Sequence, residues 1–237
     1  MNTENIKSNL QKTKDEINKV ITKLNIKREI TLIAISKTHP AEYVVSALNE
    51  GQIHFGENKV QEAEKKIELV NRLNKKNSKK IKWHLVGHLQ SNKAKIAVKL
   101  FDMIHSLDKE STIKEVSKRA GHINKIIDIL IQVNTTGEES KYGCSPDKVL
   151  SLCEKAQELE GVKLRGLMTI GPLGGSEKEV TKSFSDLRKL KEEVSSKLDI
   201  PLDVLSMGMS ADWRIALREG ATHLRIGSLI FGERNYR

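Results

Sequence analysis

Lys37 stands directly after the apolar run LIAIS (32–36), where a chain leaving a packed strand begins to meet solvent. An amine there has two readings. Partial burial lowers an ammonium pKa and favours the neutral nucleophile that adds to a carbonyl, whereas a flexible stem can equally carry the charge out to water. Two glycine-containing turns near the C-terminus suit an anion. In SMGMS (206–210), Gly208 lets the backbone approach a ligand closely, and Ser206 and Ser210 supply hydroxyls. A helical pattern from Ala211 would add N-terminal amides. RIGS (225–228) repeats the device with Gly227 and Ser228. Other apolar runs also end in polar groups: Asn58, His84 and His88, His105, Asn134, and Thr169 after Met168.

These residues need elements to bring them together. The chain repeats a short β-branched run, a polar loop and a helical period. The runs are 30–36, 52–56, 81–87, 102–107, 126–134, 162–170, 203–208 and 222–227. Helical patterns fill 41–50, 57–72, 90–99, 109–120, 147–160, 177–197 and 211–219, with Pro40 and Pro146 before two starts and Asp108 as an expected N-cap. Strands alternating with helices imply parallel pairing through right-handed crossovers. Eight units in this order predict an α/β fold, a (β/α)₈ TIM barrel in one domain; an open doubly wound sheet is the alternative that the pattern leaves open. Residues 1–29, with Ile6, Leu10, Ile17, Val20 and Ile21 at helical spacing, form an extra N-terminal helix. The eight units then occupy 30–237 at about 26 residues each, leaving no second domain. In such a barrel, working groups lie at the C-terminal strand ends, and phosphates often sit on the loops after strands seven and eight. A ligand carrying both an aldehyde and a phosphate would bridge Lys37 and the two turns, and pyridoxal 5′-phosphate (PLP) carries both.

Composition narrows the partners. Lys and Arg number 41 and Asp and Glu 31, a net charge of +10, but acidic residues interleave with the lysines and only 4% of residues are aromatic. Base-stacking platforms are therefore scarce, and no nucleic-acid partner is expected. The dense basic block NKKNSKK (74–80) reads as a solvated loop. No apolar stretch is long enough to span a membrane, and the N-terminus lacks a signal-peptide core, so the expected location is cytoplasmic. Cys144 and Cys153 lack a paired metal or disulfide spacing and read as free thiols; no metal site is expected.

The segments AISKTHP, HFGENKVQE, WHLVGHLQSNKAK, IHSLD, IQVNTTGEESKYG, LRGLMTIGPL and LSMGMSADWRIALREGATHLRIGSLIFGER span residues 32–234 in order. Together they resemble the pyridoxal phosphate homeostasis proteins, also called proline synthetase co-transcribed homologues. That family is itself similar to the N-terminal barrel of alanine racemase. The resemblance implies a PLP-binding protein of intracellular PLP homeostasis that holds the cofactor as a Schiff base on Lys37. Ser206, Gly208, Met209, Ser210, Gly227 and Ser228 would surround the phosphate. Asn58 and His84 would lie near the ring, Met168 would pack beside it, and Arg225 would face the pyridine nitrogen. Lys59 and His39 match variable positions, and His88 a rim position.

Arg225 carries a chemical consequence under that resemblance. A guanidinium donates hydrogen bonds without yielding its proton, so the ring nitrogen that it faces stays unprotonated and the ring is a poor electron sink. Racemisation also needs acid–base groups on both faces of Cα, and Tyr43, Tyr142 and Tyr236 match no racemase base. The resemblance thus implies a carrier without substantial turnover and no catalytic residues; a PLP-dependent racemase-like enzyme is the alternative. Apo PLP enzymes are the expected acceptors, and a monomer the expected state. Lys141, in EESKYG, is either a second lysine that receives PLP during release or a rim charge.

Overall fold

The structure is a computed structural model and describes residues 3–74 and 81–233. Most of the basic block, residues 75–80, therefore lies outside the described residues. Helix α1 (Thr3–Lys23) precedes the first strand-helix unit, β1 (Thr31–Ile35) and α2 (Ala41–Asn49). Then come β2 (His54–Glu57), α3 (Val60–Leu73), β3 (Lys82–Leu85), α4 (Ala94–Leu100), β4 (Met103–Leu107) and α5 (Glu110–Gly121). The second half is β5 (Ile127–Gln132), α6 (Val149–Gln157), β6 (Val162–Met168), α7 (Glu177–Leu198), β7 (Val204–Ser206), α8 (Trp213–Arg218), β8 (His223–Ile226) and α9 (Ser228–Phe231).

All eight strands run parallel, and β8 pairs back onto β1 with Thr31 opposite His223 and Ala34 opposite Ile226. That closure selects the barrel over the open sheet. Helix α1 buries Ile6, Leu10 and Ile17 and packs against α2, α8 and α9.

Side-chain alternation along the strands separates two layers. Phe55, Leu85, Ile104, Ile129, Leu167, Leu205 and Leu224 join the helices in the outer core. The inward positions form two apolar patches, Ile33, Ile35 and Val86 on one side and Met103, Leu130, Met168 and Val204 on the other. Between the patches runs a polar seam of His54, His84, His105, Ser206, His223 and Arg225, joined by hydrogen bonds and ring contacts. Branched apolar residues usually dominate a barrel interior, so a polar seam here departs from the common filling.

Local chemistry moves some boundaries. The third helix starts at Val60 rather than 57 because Glu57 completes β2, where it pairs opposite Leu85. Short 3₁₀ turns, Ser91–Lys93 and Pro146–Lys148, lead into α4 and α6. Asp108 is not the N-cap of α5. Lys109 holds that position without a side-chain bond, and the Asp108 carboxylate instead accepts from the Gly143 amide at 3.2 Å. Helix α7 starts with a reciprocal capping box between Ser176 and Glu179.

Candidate functional site

A cavity of about 290 Å³ opens at the C-terminal mouth of the barrel, with Lys37, Asn58, Met209, Ser210, Arg225, Gly227 and Ser228 in its wall. Ile35, Val86 and Ile170 supply its apolar faces. A wider depression of about 560 Å³ lies along α1 between Lys7 and Lys19, but it is shallow and flanked by surface charges. The mouth cavity is where groups from different strands converge.

The backbone around Lys37 is held from behind by α3. Lys66 donates to the Ser36 carbonyl at 2.6 Å, and the Thr38 amide donates to Glu62 at 2.6 Å. Lys66 also pairs with Glu57 at 2.7 Å, and the Ser36 hydroxyl donates to the same carboxylate oxygen. Burial pushes the Glu57 pKa up, against the Lys66 charge and its hydrogen bond. Thr38 has φ +66°, a left-handed conformation that a β-branched residue rarely adopts. The half-buried Lys37 thus leaves the barrel at a turn that a buried ion-pair network holds in place.

The first glycine turn is more closed than its sequence suggests. Gly208 is buried with φ +92°, and a Cβ there would lie 2.6 Å from Ala216 Cβ and 3.1 Å from a Leu224 methyl. Its small size lets α8 pack closely on β8. The Met209 amide donates to the Asp212 carboxylate at 2.5 Å, so that donor closes the turn internally. Helix α8 begins only at Trp213, after Asp212, and not near Ala211. Met209, Ser210 and Ala211 nevertheless line the cavity, opposite Gly227 and Ser228 at the start of α9.

Three further residues lie deeper than expected. His84 is not on the cavity wall: its ring is buried and hydrogen-bonded to His54 and His105 at 2.9 Å each. Met168 is buried in an interior apolar patch, and the Ser206 hydroxyl lies 2.8 Å from Arg225 and 2.9 Å from His105. Val86 and Ile170 hold the wall positions in their place, each two residues further along the chain. Two residues advance a strand by about 7 Å, one full interior layer.

The family model described as Alanine racemase, N-terminal domain, matches residues 2–235. A pyridoxal phosphate homeostasis protein of Schizosaccharomyces pombe is 41% identical over 210 residues, 87% of this chain and 85% of the relative. The chain belongs to the pyridoxal phosphate homeostasis protein family. A relative of the same name from Aquifex aeolicus is 42% identical over 86% of this chain and 87% of its own length. Among solved structures, PipY of Synechococcus elongatus with PLP bound superposes with a TM-score of 0.78 and 36% identity, covering 90% of this chain and 99% of that one.

For a member of the PLP homeostasis family, the electrostatics of the wall are informative. Arg225 is buried, donating to the Ser206 hydroxyl and to the Thr169 carbonyl at 2.8 Å each. Burial lowers its pKa to about 10, opposed by Asp212, so it remains a cation at neutral pH. His39 also lines the cavity, its ring 5.3 Å from Phe231 and 5.7 Å from Tyr43, whereas Lys59 is exposed at the start of α3. His88 stacks on Tyr142 at 4.1 Å. Lys141 is tied to Glu138 at 2.6 Å and to the Gly171 carbonyl at 3.0 Å, bridging two rim loops. Sequence reasoning missed Thr169 as the acceptor for Arg225, Asp212 as the closer of the SMGMS turn, and the Glu57, Glu62 and Lys66 network. The only local signal for the last was Glu62 and Lys66 four apart on one helix face. Among the described residues, no group of His, Cys, Asp and Glu is arranged to hold a metal, and no helix is long and apolar enough to cross a membrane.

Proposed function

We propose that this chain binds PLP in the mouth cavity, covalently through Lys37, and holds it for transfer to apo-enzymes without substantial turnover. The observation that carries the reading is the convergence of an amine, a fixed guanidinium and a small-residue turn on one small cavity. PLP supplies an aldehyde that condenses with an amine and a ring that accepts electrons when its nitrogen is protonated. The residues present fit such a ligand. Lys37 Nζ would condense with the aldehyde, with loss of water; Ser210, Gly227 and Ser228 would hold the phosphate; Ile35, Val86 and Ile170 would offer apolar surface to the ring, with Asn58 as a polar group of the same wall.

Arg225 lines the cavity as a donor that keeps its proton; facing the ring nitrogen, it would leave that nitrogen unprotonated and the ring a poor electron sink. The test is an absorption spectrum before and after borohydride, with peptide mapping of the reduced lysine. The expected product is PLP on Lys37, and label on another lysine refutes the assignment. Incubation with L-amino acids in deuterated water tests the second part. Exchange of the α-hydrogen at turnover rates would establish an enzyme instead.

A further inference from the structure

We propose that His54, His84, His105 and Ser206 form a hydrogen-bonded chain of fixed polarity that positions Arg225 in the cavity wall. The links are His54 Nδ1 to His84 Nε2, His84 Nδ1 to His105 Nε2, and His105 Nδ1 to Ser206 Oγ, each 2.9 Å; Arg225 Nη1 lies 2.8 Å beyond. They come from β2, β3, β4, β7 and β8, so the chain crosses the barrel interior to the mouth.

The direction of every proton follows from its end. A guanidinium only donates, so the Ser206 oxygen accepts from Arg225. The single Ser206 proton then goes to His105 Nδ1. His105 therefore carries its proton on Nε2 and gives it to His84 Nδ1, and His84 does the same towards His54 Nδ1. The opposite polarity would make Ser206 accept from both neighbours and leave its own proton without an acceptor in the chain. With Ser206 donating to His105, a doubly protonated His84 or His105 would set donor against donor at one link.

The charged and titratable surroundings agree with neutral rings. His54 faces Lys82, Asp102 and Glu29; His84 faces His223, His54 and Lys82; His105 faces His84, His223 and Arg225. His223 in turn faces His54, Arg165 and Arg225. Burial is the largest influence on each ring and disfavours the cation. Nor is the chain a proton conduit, because it terminates on a group that does not take up or release protons near neutral pH. Its effect is geometric. Together with the Thr169 carbonyl it supplies two fixed acceptors that set the guanidinium plane.

The orientation towards PLP rests on the proposed function; the polarity does not. Protein labelled with ¹⁵N-histidine, studied by two-bond nitrogen–proton correlation at neutral pH, should show His54, His84 and His105 as neutral Nε2–H tautomers. An Nδ1–H tautomer at His105 overturns the proposal. Ser206→Ala should weaken PLP binding about tenfold and shift the pH midpoint of the bound PLP spectrum, and Ser206→Thr should restore both. Wild-type affinity and midpoint in a folded Ser206→Ala protein would also overturn it. Failure of the wild-type protein to bind PLP would instead refute the functional reading, with the tautomers still deciding the polarity.

Discussion

Lys66 and Glu57 are almost fully buried, with side chains 7% and 0% exposed. Removing one charge of such a pair leaves the other unpaired in a low dielectric. Lys66→Met should therefore cost about 3–5 kcal/mol in urea unfolding, and the double change Lys66→Met with Glu57→Gln should recover part of it. Because Lys66 also holds the Ser36 carbonyl, the single variant should slow borohydride-trapped labelling of Lys37 as well. The two cysteines make a second prediction at this scale. Burial pushes both thiols up to about 12, so a disulfide reagent should react slowly with the folded protein and quickly after denaturation.

Among the elements, the turn between β7 and α8 illustrates how packing reassigns a motif. Gly208 reads in the sequence as part of an anion cup, and its φ of +92° and the nearness of Ala216 show that it also seats α8. Gly208→Ala should destabilise the fold by about 1–3 kcal/mol, from backbone strain and overpacking together. Ser176→Ala, which removes the capping box of α7, should cost about 1 kcal/mol, and thermal melts of the two variants compare them directly. Element order was legible because each strand-helix unit announces itself by local periodicity. Exact ends were less so: Glu57 belongs to β2 through its pairing opposite Leu85, a contact that no local pattern contains.

Across the whole molecule, the interior histidines couple stability to pH. Unfolded histidines titrate near 6.5, whereas burial lowers His54, His84 and His105 and brings His223 to about 4. Between those values the unfolded chain binds more protons, so stability rises with pH through the window and is lost as pH falls below about 6.5. His223 alone would account for about 3 kcal/mol of that loss near pH 4. Urea midpoints measured from pH 7.5 to 4.5 should decline, and His223→Asn should flatten the decline. By itself, the sequence determined the eight strand-helix units, Lys37 at the end of β1 and the family, because these depend on local periodicity and contiguous motifs, whereas barrel against open sheet was decided by the pairing of β8 with β1. Tertiary structure alone decided which expected residues reach the cavity. His84, Met168 and Ser206 share strand faces with the mouth, but the register of their strands sets their depth, with His84 opposite Met103 and Met168 opposite Ser206. Depth depends on the register between strands, which no contiguous motif contains, and a shift of one layer moves a side chain from the cavity wall into the interior.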